Sequence, residues 1–265
     1  MNVPVNSIAP EIRHDIMTRI KNTEQEHNVK VLYAIESGSR AWGFASSNSD
    51  YDVRFIYAHP KDWYLSVMLE DQRDVIEYPI VDDIDINGWD LRKALKLLRV
   101  SNPAIGEWLQ SPIVYINHNH FQTQVMALFK QYYKAERGLY HYFNMAKNNY
   151  RGYLKNEYVP RKKYLYVMRA LCAARWIERF KSPPPIEFEA LVAAVIDDSV
   201  LFDEIQKLVV EKLHATEKAL GPQIPTLNRF IEAELNHFNY QFNKSDVDQN
   251  TAALDKAFLQ MLDSI

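Results

Sequence analysis

The sequence predicts an α+β fold: an N-terminal β-sheet with flanking helices, followed by an all-helical C-terminal bundle. Three observations predict it. The runs 31–35, 51–57 and 74–80 are rich in β-formers and separated by turn residues. From Phe121 onward, apolar residues recur at helical three-four spacing. Between these regimes the run Asn117-His118-Asn119-His120 is polar, without apolar periodicity, and reads as an exposed linker rather than a metal site. The expected division is therefore 1–117 and 118–265.

In order along the chain, Ile12, Ile16 and Ile20 give residues 10–27 one apolar face, with Pro10 at a helix start. Residues 31–35 form a strand that runs into a small-residue turn, Gly38-Ser39. The stretch 40–49 is too rich in Ser and Asn for a strand, and Trp42, Gly43 and Phe44 suit a short turn with aromatics tucked inward. Residues 51–57 are the second strand and 74–80 the third. The alternation Asp83-Ile84-Asp85-Ile86 follows, then a helix over 89–99 with Leu91, Ala94, Leu95 and Leu98 on one face. Asp90 suits the first turn of that helix, where a carboxylate favours the dipole. Asn102-Pro103 breaks it, and 104–109 forms a further short helix. Residues 111–116 are a last strand or a crossover, since Pro112 argues against a central position. Helices are then expected over 121–133, 140–155, 159–181, 188–195, 201–220, 226–242 and 251–262.

At 265 residues with 47% hydrophobic and 25% charged content, the chain has ordinary globular composition. Its single Cys172 excludes an intrachain disulfide and a multi-cysteine zinc site. No apolar run reaches the roughly 18 residues of a membrane span, and the N-terminus lacks the pattern of a secretory signal. A cytoplasmic setting without membrane partners is the expectation. Charge is unevenly distributed: net −5 over 1–129, +10 over 130–181 and −8 over 182–265. The basic stretch carries thirteen Lys/Arg against three Asp/Glu and nine of the 16 tyrosines. His141, Asn144, Asn148, Arg151 and Lys155 share one helix face there. Cations interleaved with aromatics suit phosphates and stacked bases. The tyrosines themselves read first as bundle packing.

The chemistry is expected in the string GSRAWGFASSNSDYDVRFIY, residues 38–57. Read as strand residues, Asp50 and Asp52 point to one face about 6–7 Å apart. Such carboxylates suit hard divalent cations, with Mg²⁺ held by one or two carboxylates plus substrate phosphates. A Gly-Ser turn offers backbone N–H groups and a hydroxyl to a phosphate. One or more carboxylates of 82–86 should face the same pocket; Asp83, at the parity of Asp85, fits a solvent-facing strand end better than a ligand.

A Gly-Ser turn, about ten residues, then Asp-x-Asp resembles the signature of the DNA polymerase β nucleotidyltransferase superfamily. The fuller string resembles one branch, the RNA repair pathway DNA polymerase beta family (YcgL-like). The strings IDINGWDLRKAL at 84–95, KKYLYVMR at 162–169 and ARWI at 174–177 resemble that branch too. The resemblance implies a nucleotidyltransferase-type mixed sheet in 1–117 as the catalytic domain. It implies Asp50, Asp52 and Asp85 as catalytic carboxylates holding two Mg²⁺ (or Mn²⁺) ions. It also implies nucleotide contacts from Gly38, Ser39, Arg40 and Arg54, and from Lys163 and Arg169 in the helical domain. The implied reaction moves an NMP from an NTP to an acceptor hydroxyl and releases pyrophosphate, with RNA as one acceptor. The alternatives are a non-catalytic nucleotide- or RNA-binding module and an enzyme that nucleotidylates protein.

Overall fold

The computed structural model describes residues 8–214, 220–239 and 247–265. In chain order the elements are α1 (Pro10–His27), β1 (Lys30–Glu36), α2 (Gly38–Trp42), β2 (Tyr51–Ala58), β3 (Val75–Glu77), β4 (Ile84–Asp90), α3 (Leu91–Arg99), α4 (Pro103–Leu109), β5 (Val114–Asn117), α5 (Phe121–Tyr132), α6 (Ala135–Tyr153), β6 (Tyr158–Pro160), α7 (Lys162–Phe180), α8 (Phe188–Val195), α9 (Ser199–His214), β7 (Leu220–Pro222), α10 (Pro225–Phe238) and α11 (Ala252–Leu262). The described residues fall into two compact units. One takes Met1–Ala41, Asp50–Tyr132 and Val247–Ile265; the other takes Trp42–Ser49 and Tyr133–Asp246.

The first unit is built on a mixed five-stranded sheet ordered β3-β4-β2-β1-β5. Strands β2 and β4 run parallel, with Asp52 opposite Asp85; β1 is antiparallel to both β2 and β5. Strand alternation gives β2 two different faces. Val53, Phe55 and Tyr57 join Ile16 and Ile20 of α1 in one apolar cluster. Asp52 and Arg54 point the other way, as do Asp85, Asn87 and Trp89 on β4. That second face is covered in part by α4, whose Trp108 stacks on Trp89 at 4.0 Å. The sheet therefore carries apolar helices and still presents two carboxylates in register at the start of its central parallel pair.

Local chemistry explains the boundaries. Pro10 sits in the first turn of α1 and Asn28 ends the helix in the left-handed region at φ 49°. Asp90 caps α3 by accepting from the Arg92 amide at 2.8 Å, and Asn102 caps α4 from the Ala104 amide at 2.9 Å. Strand β5 lies at the sheet edge, with Pro112 just outside it. A single cut after Asn117 would place α5 and α11 with the C-terminal helices; compactness groups both with the sheet. The reason is packing: α5 buries Phe121, Val125, Phe129 and Tyr132 and touches α3, α4 and β1, while α11 touches α3.

The second unit is helical around α7, which is buried on almost every side from Tyr164 to Ile177 and packs most heavily on α6. Cys172 lies in this core as a buried thiol. One feature departs from the helical expectation. Val159 pairs with Gly221 in a short antiparallel ladder, β6 with β7, so α7 starts at Lys162 rather than at Val159. The segment 42–49 also belongs here: Trp42 meets Tyr166, Phe44 meets Phe188, and buried Lys212 donates to Ser46 and Ser49, 3.0 Å each.

Candidate active site

After Lys30, strand β1 buries Val31 to Ile35 and ends on Glu36, which is fully buried. Its Oε1 accepts the Asp52 amide at 2.9 Å and its Oε2 accepts the Tyr115 hydroxyl at 2.7 Å. The Arg40 Nε lies 3.9 Å from Oε1. Burial pushes the Glu36 carboxyl up to about 7, against the opposing pull of the Tyr115 and Asp52 donors. The chain then turns. The Ser37 amide donates to the Asp52 carbonyl at 2.8 Å, and Gly38 takes φ +59°. A Cβ at Gly38 would lie 1.9 Å from Asp52 Oδ2, so the turn backbone rests directly against that carboxylate. Ser39 and Arg40 are buried in the short helix α2, and the Arg40 guanidinium lies 4.0 Å from the centre of the Tyr51 ring.

Asp52 and Asp85 face each other across β2 and β4 with Arg54 between them. Arg54 Nη2 donates to Asp85 Oδ2 at 2.7 Å and to Asp52 Oδ1 at 3.3 Å. Its Nη1 donates to the Val53 and Asp85 carbonyls, both at 2.9 Å. Asn87 Nδ2 holds Asp85 Oδ1 at 2.6 Å. Burial raises the Asp52 carboxyl; Arg54 opposes the shift, and Asp85 and Asp50 add to it. Asp50 is exposed and stands one residue before β2 begins. Asp83 is exposed in a left-handed turn at φ 59°, where its carbonyl accepts the Tyr51 amide.

Among the described residues, no group of three or more His, Cys, Asp or Glu could hold a metal ion by itself. Asp52 and Asp85 converge, but a guanidinium already lies between them. Two carboxylates completed by substrate phosphates are an ordinary Mg²⁺ set.

Lys163 and Arg169 belong to the second unit. Lys163 Nζ lies over the rings of Tyr153 and Tyr166, at 4.3 and 5.0 Å. Arg169 is only 3% exposed, with its guanidinium 4.4 Å from the Trp42 ring centre and Nη2 at 3.5 Å from the Ile186 carbonyl. The basic stretch around them is partly answered within the same unit. Lys155 pairs with Glu232, Arg161 with Glu211, Arg175 with Glu234 and Arg179 with Asp197. Tyr142, Tyr150 and Tyr164 are buried, as bundle packing requires, while Tyr140, Tyr153 and Tyr158 are exposed.

The arrangement of a Gly-Ser turn against an aspartate of a parallel strand pair has a counterpart in known sequences. The sequence pattern of the RNA repair pathway DNA polymerase beta family matches residues 12–260. The chain belongs to that family. The uncharacterised protein YcgL of Bacillus subtilis (strain 168) is 40% identical over 256 residues, spanning 96% of this chain and 98% of its own. A nucleotidyltransferase-like protein from Exiguobacterium sibiricum 255-15, known from a crystal structure, aligns over 93% of this chain and 88% of its own. Its identity is 9% and its TM-score 0.30, too low to bear on the fold. Family membership supports a function of nucleotidyltransferase type, a class that generally uses divalent metals and an NTP. No described helix is long and apolar enough to cross a membrane.

Two residues of this site take positions that the sequence did not reveal. Glu36 was not singled out, although a carboxylate closing an apolar strand just before Gly-Ser was a visible signal. Arg54 was read as a nucleotide contact, and its position between two aspartates depends on a strand register that no local pattern carries.

Proposed function

We propose that this chain transfers an NMP from an NTP to an acceptor hydroxyl, with the first unit as the catalytic domain. The observation that carries the reading is the Gly38 turn lying against Asp52, with Asp85 in register on the neighbouring parallel strand. The acceptor oxygen bonds to the α-phosphorus as the bridge to the β-phosphate breaks; the hydroxyl proton passes to solvent, and pyrophosphate leaves with the electron pair. Asp50 and Asp52 would hold a divalent cation, with Asp85 as the third carboxylate that the family pattern implies. When bound, that cation supplies positive charge to the triphosphate and lowers the pKa of the acceptor hydroxyl. The Gly38-Ser39 turn holds the β- and γ-phosphates. Glu36 and Tyr115 fix the Asp52 backbone, and Arg40 is packed on Tyr51 beside them. Lys163 and Arg169 are the further nucleotide contacts that the family pattern implies.

RNA is the acceptor we favour, on the family's description together with exposed Tyr153 and Tyr158 near the basic Arg151 in sequence. The test uses NTPs labelled at the α-phosphate, one base at a time, with Mg²⁺ or Mn²⁺ and an extract split into RNA, small-molecule and protein fractions. Label is expected in the RNA fraction and should fall by about a hundredfold or more in Asp52→Asn. Equal labelling in Asp52→Asn overturns the mechanism, and label confined to another fraction overturns the acceptor. Metal-dependent NTP binding with no label anywhere would establish a non-catalytic binding module instead.

A further inference from the structure

Arg54 has contacts unlike those of a mobile phosphate-binding arginine. Its Nη1 is tied to two backbone carbonyls, Val53 and Asp85, at 2.9 Å each. Its Nη2 lies between Asp85 Oδ2 at 2.7 Å and Asp52 Oδ1 at 3.3 Å. Both carbonyls belong to strands paired in parallel register, so the guanidinium is held by the sheet. Arginine keeps its charge at any working pH. A permanent positive charge is thus built in between the two carboxylates.

Asp85 is occupied on both oxygens, by Arg54 at 2.7 Å and by Asn87 at 2.6 Å. A divalent ion at Asp85 would have to displace a short charge-assisted bond and stand beside a like charge. Asp52 is engaged differently: Arg54 reaches only Oδ1, while Oδ2 lies at the Gly38 turn. Asp50, one residue before β2 begins, is exposed.

We infer that the site takes a single divalent cation, on Asp50 and Asp52, and that the Arg54 guanidinium supplies the second positive charge at Asp85. The inference rests on the metal-dependent reading above and departs from the two ions that the family resemblance implies. It also changes the part played by Asp85. With both oxygens accepting strong bonds, Asp85 serves to hold Arg54.

The test counts Mn²⁺ bound to the full chain by electron paramagnetic resonance, with the metal alone as probe. Wild type is expected to bind one ion, lost in Asp52→Asn. Arg54→Met is expected to bind two, and the double variant Arg54→Met/Asp85→Asn to return to one. Arg54→Lys keeps the charge and should stay at one. Two ions in wild type, or one in a folded Arg54→Met chain, overturns the inference while leaving the metal reading intact. If Arg54→Met does not fold, as judged by circular dichroism, the wild-type count decides alone. Binding that ignores Asp52→Asn defeats the metal reading itself and the inference with it.

Discussion

Gly38 shows how a single residue couples backbone conformation to chemistry. Its φ of +59° is uncommon for any side chain, and a Cβ there would lie 1.9 Å from Asp52 Oδ2. Gly38→Ala therefore has two penalties, a strained dihedral and a displaced carboxylate. We expect a loss of about 2–3 kcal/mol in urea unfolding. Mn²⁺ binding should be lost even at temperatures where the variant is fully folded. A folded Gly38→Ala chain with wild-type metal affinity would show that the close approach has no part in shaping the site. The need for glycine at this turn was legible in the sequence; its contact with Asp52 was not, because it joins residues fourteen apart through the pairing of β1 with β2. The same limit hid Arg54, whose neighbours Asp52 and Asp85 come together only when β4 pairs parallel with β2. Residue type announces candidate ligands, and register decides which of them share a counterion.

At the level of elements, a half-buried ion pair joins helices of the second unit. Arg175 on α7 grips Glu234 on α10 through Nε at 2.8 Å and Nη2 at 3.1 Å, and its Nη1 reaches the Val195 carbonyl at the end of α8. Glu234 is almost wholly buried, while a third of the Arg175 side chain is exposed. Glu234→Gln should cost about 2–3 kcal/mol, below the 3–5 of a fully buried pair because water still reaches Arg175. The exposed pair Lys155–Glu232 is the comparison, and Lys155→Met should cost under about 1 kcal/mol. Urea midpoints of the two variants check the contrast, and equal losses would show that burial does not set the strength of these pairs. Most helices here were readable because each buries an apolar stripe of its own, as α3 does with Leu91, Ala94, Leu95 and Leu98. Elements that depend on a distant partner were not. The β6–β7 ladder joins residues about sixty apart in three-residue strands, too short for any period to register.

The charge pattern of the whole chain looks like a binding surface when read along the sequence and more like an internal balance when folded. Net +10 over 130–181 stands against net −8 over 182–265, and at least four of the thirteen cations reach acids of that acidic stretch. Arg169 is buried against Trp42, and Lys147 and Lys163 lie over aromatic rings. Phosphates would have to compete with these partners. If all thirteen cations met a single strand, affinity would fall with log salt at a slope of roughly −9, from about 0.7 per phosphate. We expect roughly −4 or shallower, with stacking on the exposed Tyr153 and Tyr158 rings carrying more of the affinity. Fluorescence anisotropy of a labelled single-stranded RNA across a potassium chloride series measures the slope, and Tyr153→Ala/Tyr158→Ala measures the stacking share. A slope near −9, unmoved by the tyrosine substitutions, would show that RNA displaces the acidic partners. The charge block would then be the acceptor-binding surface after all, at the expense of the ion pairs that hold the helices together.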